Sequence, residues 1–387
     1  MRTRLVTRLL RARLRQFPAT ALLGPRQCGK TTLARALGGR YYDAEQPSER
    51  VRLDLDWQSL AAGRELVVID EAQTWPALFP RLRAAIDADR RRNGRFLLLG
   101  SVSPGLTHEV SESLAGRIAR IELTPFLLSE LGAKSLARLW LAGGYPDGGV
   151  LRSEGFPVWQ RDYLASMAQR DLPAWGLPAR PQITDRLLHM LAAVHGQFWN
   201  ASTLGKSLGL TYHTVNGYLD HLEGAYLVRR LVPWSGNLRK RLTRSPKVYL
   251  RDSGLLHALL GVGSRTELLR HPAAGASWEG FAIEQMLGSL AAHGINAQAQ
   301  VLRTGDGYEI DLVLKIGATT VALEMKLSAS VSAHDMARLE RAADLIGAQH
   351  RYIVCQTASP AADATRGALT LDAVIARLRL LGQRRAG

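Results

Sequence analysis

One short stretch constrains this chain more than any other. Residues 21–37 read ALLGPRQCGKTTLARAL, in which Gly24 and Gly29-Lys30-Thr31 satisfy the spacing G-x-x-x-x-G-K-[ST]. The apolar run ATALL (19–23) leads into it and TTLARAL continues from it with helical character. The motif therefore lies between a strand and a helix, the context in which such a loop cradles phosphate at a helix N-terminus. The spacing predicts that the backbone N–H groups of Gln27, Cys28, Gly29 and Lys30 face a β-phosphate, with Gly24 turning the chain and Thr32 completing the set. Lys30 is expected to neutralise the β- and γ-phosphates of ATP, and the Thr31 hydroxyl to hold Mg²⁺.

A second apolar run, LVVIDE (66–71), ends in two carboxylates. Asp70 is placed for the Mg²⁺ shell, and Glu71 to orient and polarise a water for attack on the γ-phosphate. Paired acids after a buried strand point to hydrolysis rather than to a P-loop kinase. Ser101 closes the strand RFLLLGS (95–101) and is expected to contact the γ-phosphate or the attacking water. Arg26, inside the loop, and Arg117, before the strand RIARIEL (117–123), are candidate phosphate contacts. Arg117 is read as an arginine finger acting in its own subunit or a neighbour's. With RYYDAE (40–45), these runs give five strands separated by helical segments, hence a parallel α/β sheet with nucleotide at the C-terminal strand ends. The N-terminal MRTRLVTRLLRARLRQF carries six arginines and no acid, but Leu5, Leu9, Leu10 and Leu14 recur at helical spacing. It reads as the opening helix of this domain and not as a transit peptide.

At 387 residues the chain exceeds one ordinary core. Fifty basic against 34 acidic residues give a net charge of +16, which favours a polyanionic partner, nucleic acid foremost, with DNA preferred to RNA. Two cysteines, Cys28 and Cys355, are too few for a disulfide framework, so a reducing cytoplasm is expected. No apolar run approaches the roughly 20 residues of a membrane span.

The expected organisation is a P-loop domain over 1–130, a helical connector over 131–185, a winged helix–turn–helix over 186–250 and a C-terminal α/β domain over 251–387. In the third segment STLGKSLGL and TYHTVNGYLDHLEGAYLV read as two short helices around a tight turn, the second capped by a threonine. Tyr212, His213, Thr214 and Asn216 would open a recognition helix. The run NLRKRLTRSPK, with Arg239, Lys240, Arg241, Arg244 and Lys247, would follow phosphates as a wing.

Residues 308–326, YEIDLVLKIGATTVALEMK, alternate on either side of KIGATT and predict a β-hairpin that brings Asp311 beside Glu324. Glu324 and Lys326 share one face. The pattern D-x(12)-E-x-K matches metal-dependent nucleases, in which two carboxylates bind Mg²⁺ and a lysine stabilises developing charge. In SWEGFAIEQMLGSL, Trp278, Ala282, Ile283, Met286 and Leu290 form one apolar face, with Glu279 near its middle and Glu284 opposite. Glu279 is therefore the expected third carboxylate.

Taken together, LLGPRQCGKTTLARAL, LVVIDEAQTWPALFPRLRAAID, FLLLGSVSPGL and SLAGRIARIELTPFLLSEL resemble the AAA-type P-loop ATPases of bacteria and archaea. The likeness continues through GGYPD, RDYLASMAQRDLP, KVYLRDSGLLHALLG and SWEGFAIEQML, so it spans essentially the whole chain. It implies ATP chemistry in the first domain. It also implies a C-terminal domain similar to restriction-endonuclease, PD-(D/E)XK, folds. The expectation is an Mg²⁺-dependent ATPase associated with nucleic acid. The alternative is an ATP-dependent switch for a protein partner, with a catalytically inactive nuclease-like scaffold.

Overall fold

The computed structural model describes residues 2–100, 114–152, 154–236, 243 and 245–383. Its first sheet has five strands, all parallel: β1 (Ala19–Leu23), β2 (Arg40–Asp43), β3 (Val67–Asp70), β4 (Phe96–Gly100) and β5 (Ile118–Glu122), in the order β2-β3-β4-β1-β5. Every residue of β1, β3 and β4 is buried, because helices cover both faces and leave no polar side. Alternate residues feed two cores. Ala19, Ala21, Val67, Ile69, Phe96 and Leu98 pack with helices Pro47–Ala62 and Leu78–Ala88. Leu22, Val68, Leu97 and Leu99 pack with Leu10 of helix Thr7–Gln16 and Leu33 of helix Lys30–Arg35. The register pairs Leu23 with Gly100 and Glu122, and Asp43 with Asp70, so one edge of the sheet gathers the strand C-termini.

The middle of the chain is helical up to β6. Helices Pro181–Ala193, Ala201–Leu208 and Tyr212–Gly224 share a core of Leu187, Leu191, Leu204, Val215, Leu219 and Leu222. Asn200 and Thr211 cap the last two by accepting from the N–H groups of Thr203 (3.1 Å) and Thr214 (3.2 Å). Gly209, in the left-handed region at φ +69°, turns the chain between them. An antiparallel hairpin follows, β6 (Val228–Pro233) and β7 (Lys247–Leu250), with Leu231 opposite Lys247.

That hairpin does not end its domain. Val232 and Pro233 of β6 pair in parallel with Gln300 and Val301 of β8 (Ala297–Arg303). The second sheet thus runs over eight strands, β12-β13-β11-β10-β9-β8-β6-β7, including β9 (Glu309–Ile316), β10 (Thr319–Met325), β11 (His350–Val354), β12 (Ala361–Ala362) and β13 (Arg366–Leu369). A division at residue 250, as the sequence suggests, would fall across one hydrogen-bonded sheet.

Helix Ala274–Ala292 lies across this sheet, and fifteen of its nineteen residues are buried. The expected single apolar face is absent because the helix has neighbours on every side. Trp278 and Met286 join the core of the second sheet, Gln285 accepts from the Leu128 N–H at 2.6 Å, and Ala292 reaches the first sheet's core. Among the described residues no helix is long and apolar enough to cross a membrane.

The N-terminus is fastened by Arg4. Its guanidinium, buried, pairs with Glu130 at 3.0 Å and donates to the carbonyls of Cys28 (2.9 Å) and Thr124 (2.6 Å). Removing one member of a buried pair strands the other charge. Arg4→Ala is expected to lower unfolding free energy by about 3–5 kcal/mol, measured by urea denaturation.

Candidate functional site

The loop Gly24–Gly29 leaves the C-terminal end of β1 and opens helix Lys30–Arg35. Gly24 is fixed by a close approach: a Cβ there would lie 2.2 Å from the Leu123 carbonyl oxygen. Gly29 holds φ +100° and Gln27 φ +63°, so the loop carries two left-handed residues within three positions. Lys30 is buried and its ammonium donates to the carbonyls of Gly24 (3.0 Å) and Pro25 (2.9 Å). Thr32 lies exposed on the first helical turn.

Thr31 and Asp70 meet across the strand ends, the hydroxyl donating to Asp70 Oδ2 at 2.6 Å. Tyr41, on β2, donates to the same oxygen at 2.8 Å. Burial, and then the Asp70 charge, raise the Tyr41 phenol above its ordinary range, so it stays a donor. Asp70 Oδ1 accepts from the Glu71 N–H at 3.0 Å. Glu71 takes φ +47°, a left-handed conformation held by a turn in which Thr74 N–H bonds the Glu71 carbonyl at 2.9 Å. Burial raises the Glu71 carboxyl above the usual range, with Lys30 opposing, and Gln73 donates to it.

Cys28 is buried, its thiol raised by that burial and donating to the Leu123 carbonyl at 3.3 Å. A protonated, enclosed thiol is a poor nucleophile. Arg26 is held by the middle segment while its charge acts on Glu71. Its Nη1 lies 2.6 Å from Asp171 Oδ1 in the helical middle segment, and Tyr163 Oη donates to the Arg26 carbonyl at 3.4 Å.

Arg117 stands elsewhere. It precedes β5 at the N-terminal edge of the sheet, a full strand from the loop, and its Nε and Nη2 bind both oxygens of Asp87 at 2.8 and 2.9 Å. An arginine finger within its own subunit is excluded by that placement. Ser101 lies outside the described residues, as do Arg239, Lys240, Arg241 and Arg244.

A second cluster forms in the C-terminal sheet. Leu312 and Leu323 form the last pair of the β9–β10 register, Asp311 and Glu324 follow just beyond it, and the Asp311 charge acts on Glu324. Asp311 Oδ2 accepts from the Met325 N–H at 3.0 Å. Helix Ala274–Ala292 turns Glu279 toward this point, whereas Glu284 pairs with Arg229 and Arg251. Between the carboxylates lies the Lys247 ammonium, 3.0 Å from Glu279, 2.8 Å from Glu309 and 3.4 Å from Asp311. Tyr249, two residues along β7 on the same face, donates to Glu279 at 2.5 Å. Burial, reinforced by the Asp311 charge, raises both Glu279 and Glu324 above the ordinary carboxylate range. Lys326 pairs with Asp335 at 2.7 Å, and its charge opposes the rise at Glu324.

Two expectations for the middle segment change as well. Lys247 is buried and unavailable to phosphates, and Asn216 accepts from Trp199 Nε1 at 2.8 Å, a bond internal to the helical core. Tyr212 and His213 remain exposed. Sequence reasoning missed Arg4, Tyr41, Asp171 and Tyr249, and gave Lys247 the wrong role. Lys247 alone left a signal, a lysine in a strand, KVYL, whose other residues are apolar or aromatic.

Loop, strand order and paired acids define a P-loop protein of the AAA type, and residues 16–132 match the family model described as AAA domain. Residues 133–266 and 274–372 match two further models, each described as a domain of unknown function, DUF8612 and DUF4143. The uncharacterized proteins Rv2008c of Mycobacterium tuberculosis and Mb2031c of Mycobacterium bovis are each 39% identical over 360 residues, covering 90% of this chain and 80% of theirs. The chain belongs to the family of these mycobacterial proteins. Among solved structures, the Walker-type ATPase PABY2304 of Pyrococcus abyssi aligns over 66% of this chain and 94% of its own, at 18% identity and TM-score 0.45.

Gly24→Ala is expected to push the loop off Leu123 and to weaken ATP binding by at least about tenfold, with the far-ultraviolet circular dichroism spectrum unchanged. Titration with a fluorescent ATP analogue measures it.

Proposed function

We propose that this protein is an Mg²⁺-dependent ATP phosphohydrolase whose C-terminal half engages nucleic acid. The observation that carries the ATPase reading is the Thr31–Asp70 contact of 2.6 Å beside Lys30 and Glu71. It joins a hydroxyl and a carboxylate, hard oxygen donors of the kind Mg²⁺ prefers, at the mouth of a loop where a Cβ at Gly24 has no room. Thr31 and Asp70 would hold the ion, which supplies charge to offset that of the β- and γ-phosphates.

The remaining steps belong to the chain's own groups. Lys30 exchanges its bonds to the Gly24 and Pro25 carbonyls for phosphate oxygens. Backbone N–H groups of residues 27–30 meet the β-phosphate, and Glu71 orients a water and draws off its proton as the water attacks the γ-phosphate. ADP and phosphate leave. Lys30→Ala should abolish phosphate release, and Glu71→Gln should bind ATP while turning over at least about a hundredfold more slowly, by a phosphate-release assay. Full turnover in the lysine variant would refute the assignment.

Glu71 acts as base only when ionised, and burial raises its pKa. Activity should therefore be lost on acidification at a pH above the ordinary range for glutamate, and be regained as pH rises through that raised value. The pH profile of kcat measures this limb, which should disappear in the residual activity of Glu71→Gln.

The nucleic-acid reading rests on the net charge of +16 and on two capped helices followed by a hairpin, the order of a winged helix–turn–helix, with Tyr212 and His213 exposed at the start of the second helix. Duplex DNA is the favoured partner, and fluorescence anisotropy with duplex and single-stranded probes at several salt concentrations tests it. The C-terminal sheet, with Glu279, Asp311 and Glu324 assembled from one helix and one hairpin, supports a nuclease-like fold. A second reading, that of a non-cleaving scaffold switched by ATP, is favoured by one observation: a lysine ammonium stands among the carboxylates.

A further inference from the structure

We infer that Lys247 is the resident cation of the C-terminal carboxylate cluster, a tethered ammonium that takes the place of a divalent ion and closes the site to metal. The inference rests on the nuclease-like reading of this sheet and departs from what that reading implies. Carboxylates converge there from helix Ala274–Ala292 and from the β9–β10 hairpin, as they would around Mg²⁺. Yet among the described residues no group of three or more His, Cys, Asp and Glu side chains is arranged to hold a metal ion.

The geometry gives the reason. An ammonium has three N–H donors, and Lys247 Nζ has three carboxylate partners, Glu279 at 3.0 Å, Glu309 at 2.8 Å and Asp311 at 3.4 Å. A divalent ion would sit roughly 2.0–2.6 Å from these same oxygens, leaving no room for Nζ beside it. Nor can the ammonium swing out freely. Its side chain is only 5% exposed, the Phe198 ring lies 5.8 Å away, and its backbone is held in β7 opposite Leu231. A buried ammonium is tolerable only with such partners, and the partners only with a cation, so each side of the cluster depends on the other. Lys326, the lysine of the nuclease-type pattern, pairs instead with Asp335 at 2.7 Å. The cation is moreover supplied by the middle segment. The cluster is completed only when the β6–β7 hairpin is seated on β8.

The test is Mn²⁺ binding by nucleotide-free full-length protein at pH 8, followed by electron paramagnetic resonance of the free ion, with Asp311→Asn as the control that separates this cluster from the P-loop. Wild type should show no Asp311-dependent site at millimolar Mn²⁺. Lys247→Met should gain one at least about tenfold tighter, lost again in Lys247→Met/Asp311→Asn. An Asp311-dependent site in the wild type overturns the inference. Thermal melts supply the second readout. Lys247→Met should lower Tm, and adding Glu279→Gln should restore at least half of the loss, because one unpaired charge is removed with the other. No restoration overturns the inference. Restoration without metal uptake by Lys247→Met keeps Lys247 as the resident cation and overturns the nuclease-like reading instead.

Discussion

The assembly turns on Arg251, which follows β7 directly. Its buried guanidinium binds Glu122 at 2.5 Å and Glu284 at 3.0 Å. Glu122 ends β5, at the nucleotide edge of the first sheet, and Glu284 lies mid-helix in Ala274–Ala292, where it also receives Arg229 of β6. One cation thus joins the P-loop sheet, the middle hairpin and the C-terminal helix. Such a network is sustained by mutual neutralisation, since any member left alone would be a charge without water. It explains why helix Ala274–Ala292 is buried nearly all round. It also makes the second sheet a body docked against the strand ends that carry the P-loop, and not an appendage on a linker.

The P-loop is fastened in the same manner, from outside its own motif. Arg4 holds the Cys28 carbonyl, Asp171 holds the Arg26 side chain, and Tyr41 shares Asp70 with Thr31. The anchors come from the N-terminal segment, the helical middle and the neighbouring strand. Of these, Asp171, buried in a helix of the middle segment, ties the loop to a part of the chain beyond the sheet.

Where chemistry is dictated by local spacing, the sequence was readable. The P-loop, the acids at 70 and 71 and the β9–β10 hairpin are each set by a contiguous run, and a parallel sheet follows from apolar runs buried on both faces. Glu279 was legible because a carboxylate amid apolar residues demands a partner, and Asp311 because the hairpin sets it near Glu324. The identity of that partner was not legible, since Lys247 lies 32 residues from Glu279 and 64 from Asp311. The same holds for Arg4 and Asp171, whose partners are set by tertiary packing. Arg117 shows the reverse case. Its residue type suited a phosphate contact, but the parallel register places it at the wrong end of β5. Lys326 sits at the right sequence spacing, but its ion pair is with Asp335, which together with Ser332 caps helix Ala333–Leu345.

The pairing of β6 with β8 has a consequence for how such a chain can be inherited and dissected. The edge strand of the C-terminal sheet belongs to the helical middle, so neither part is a portable module. A fragment beginning after residue 250 would lose β6, β7 and the lysine at the carboxylates, and would present β8 as a bare, aggregation-prone edge. Middle and C-terminal segments share one sheet, in the way two halves of a single domain do.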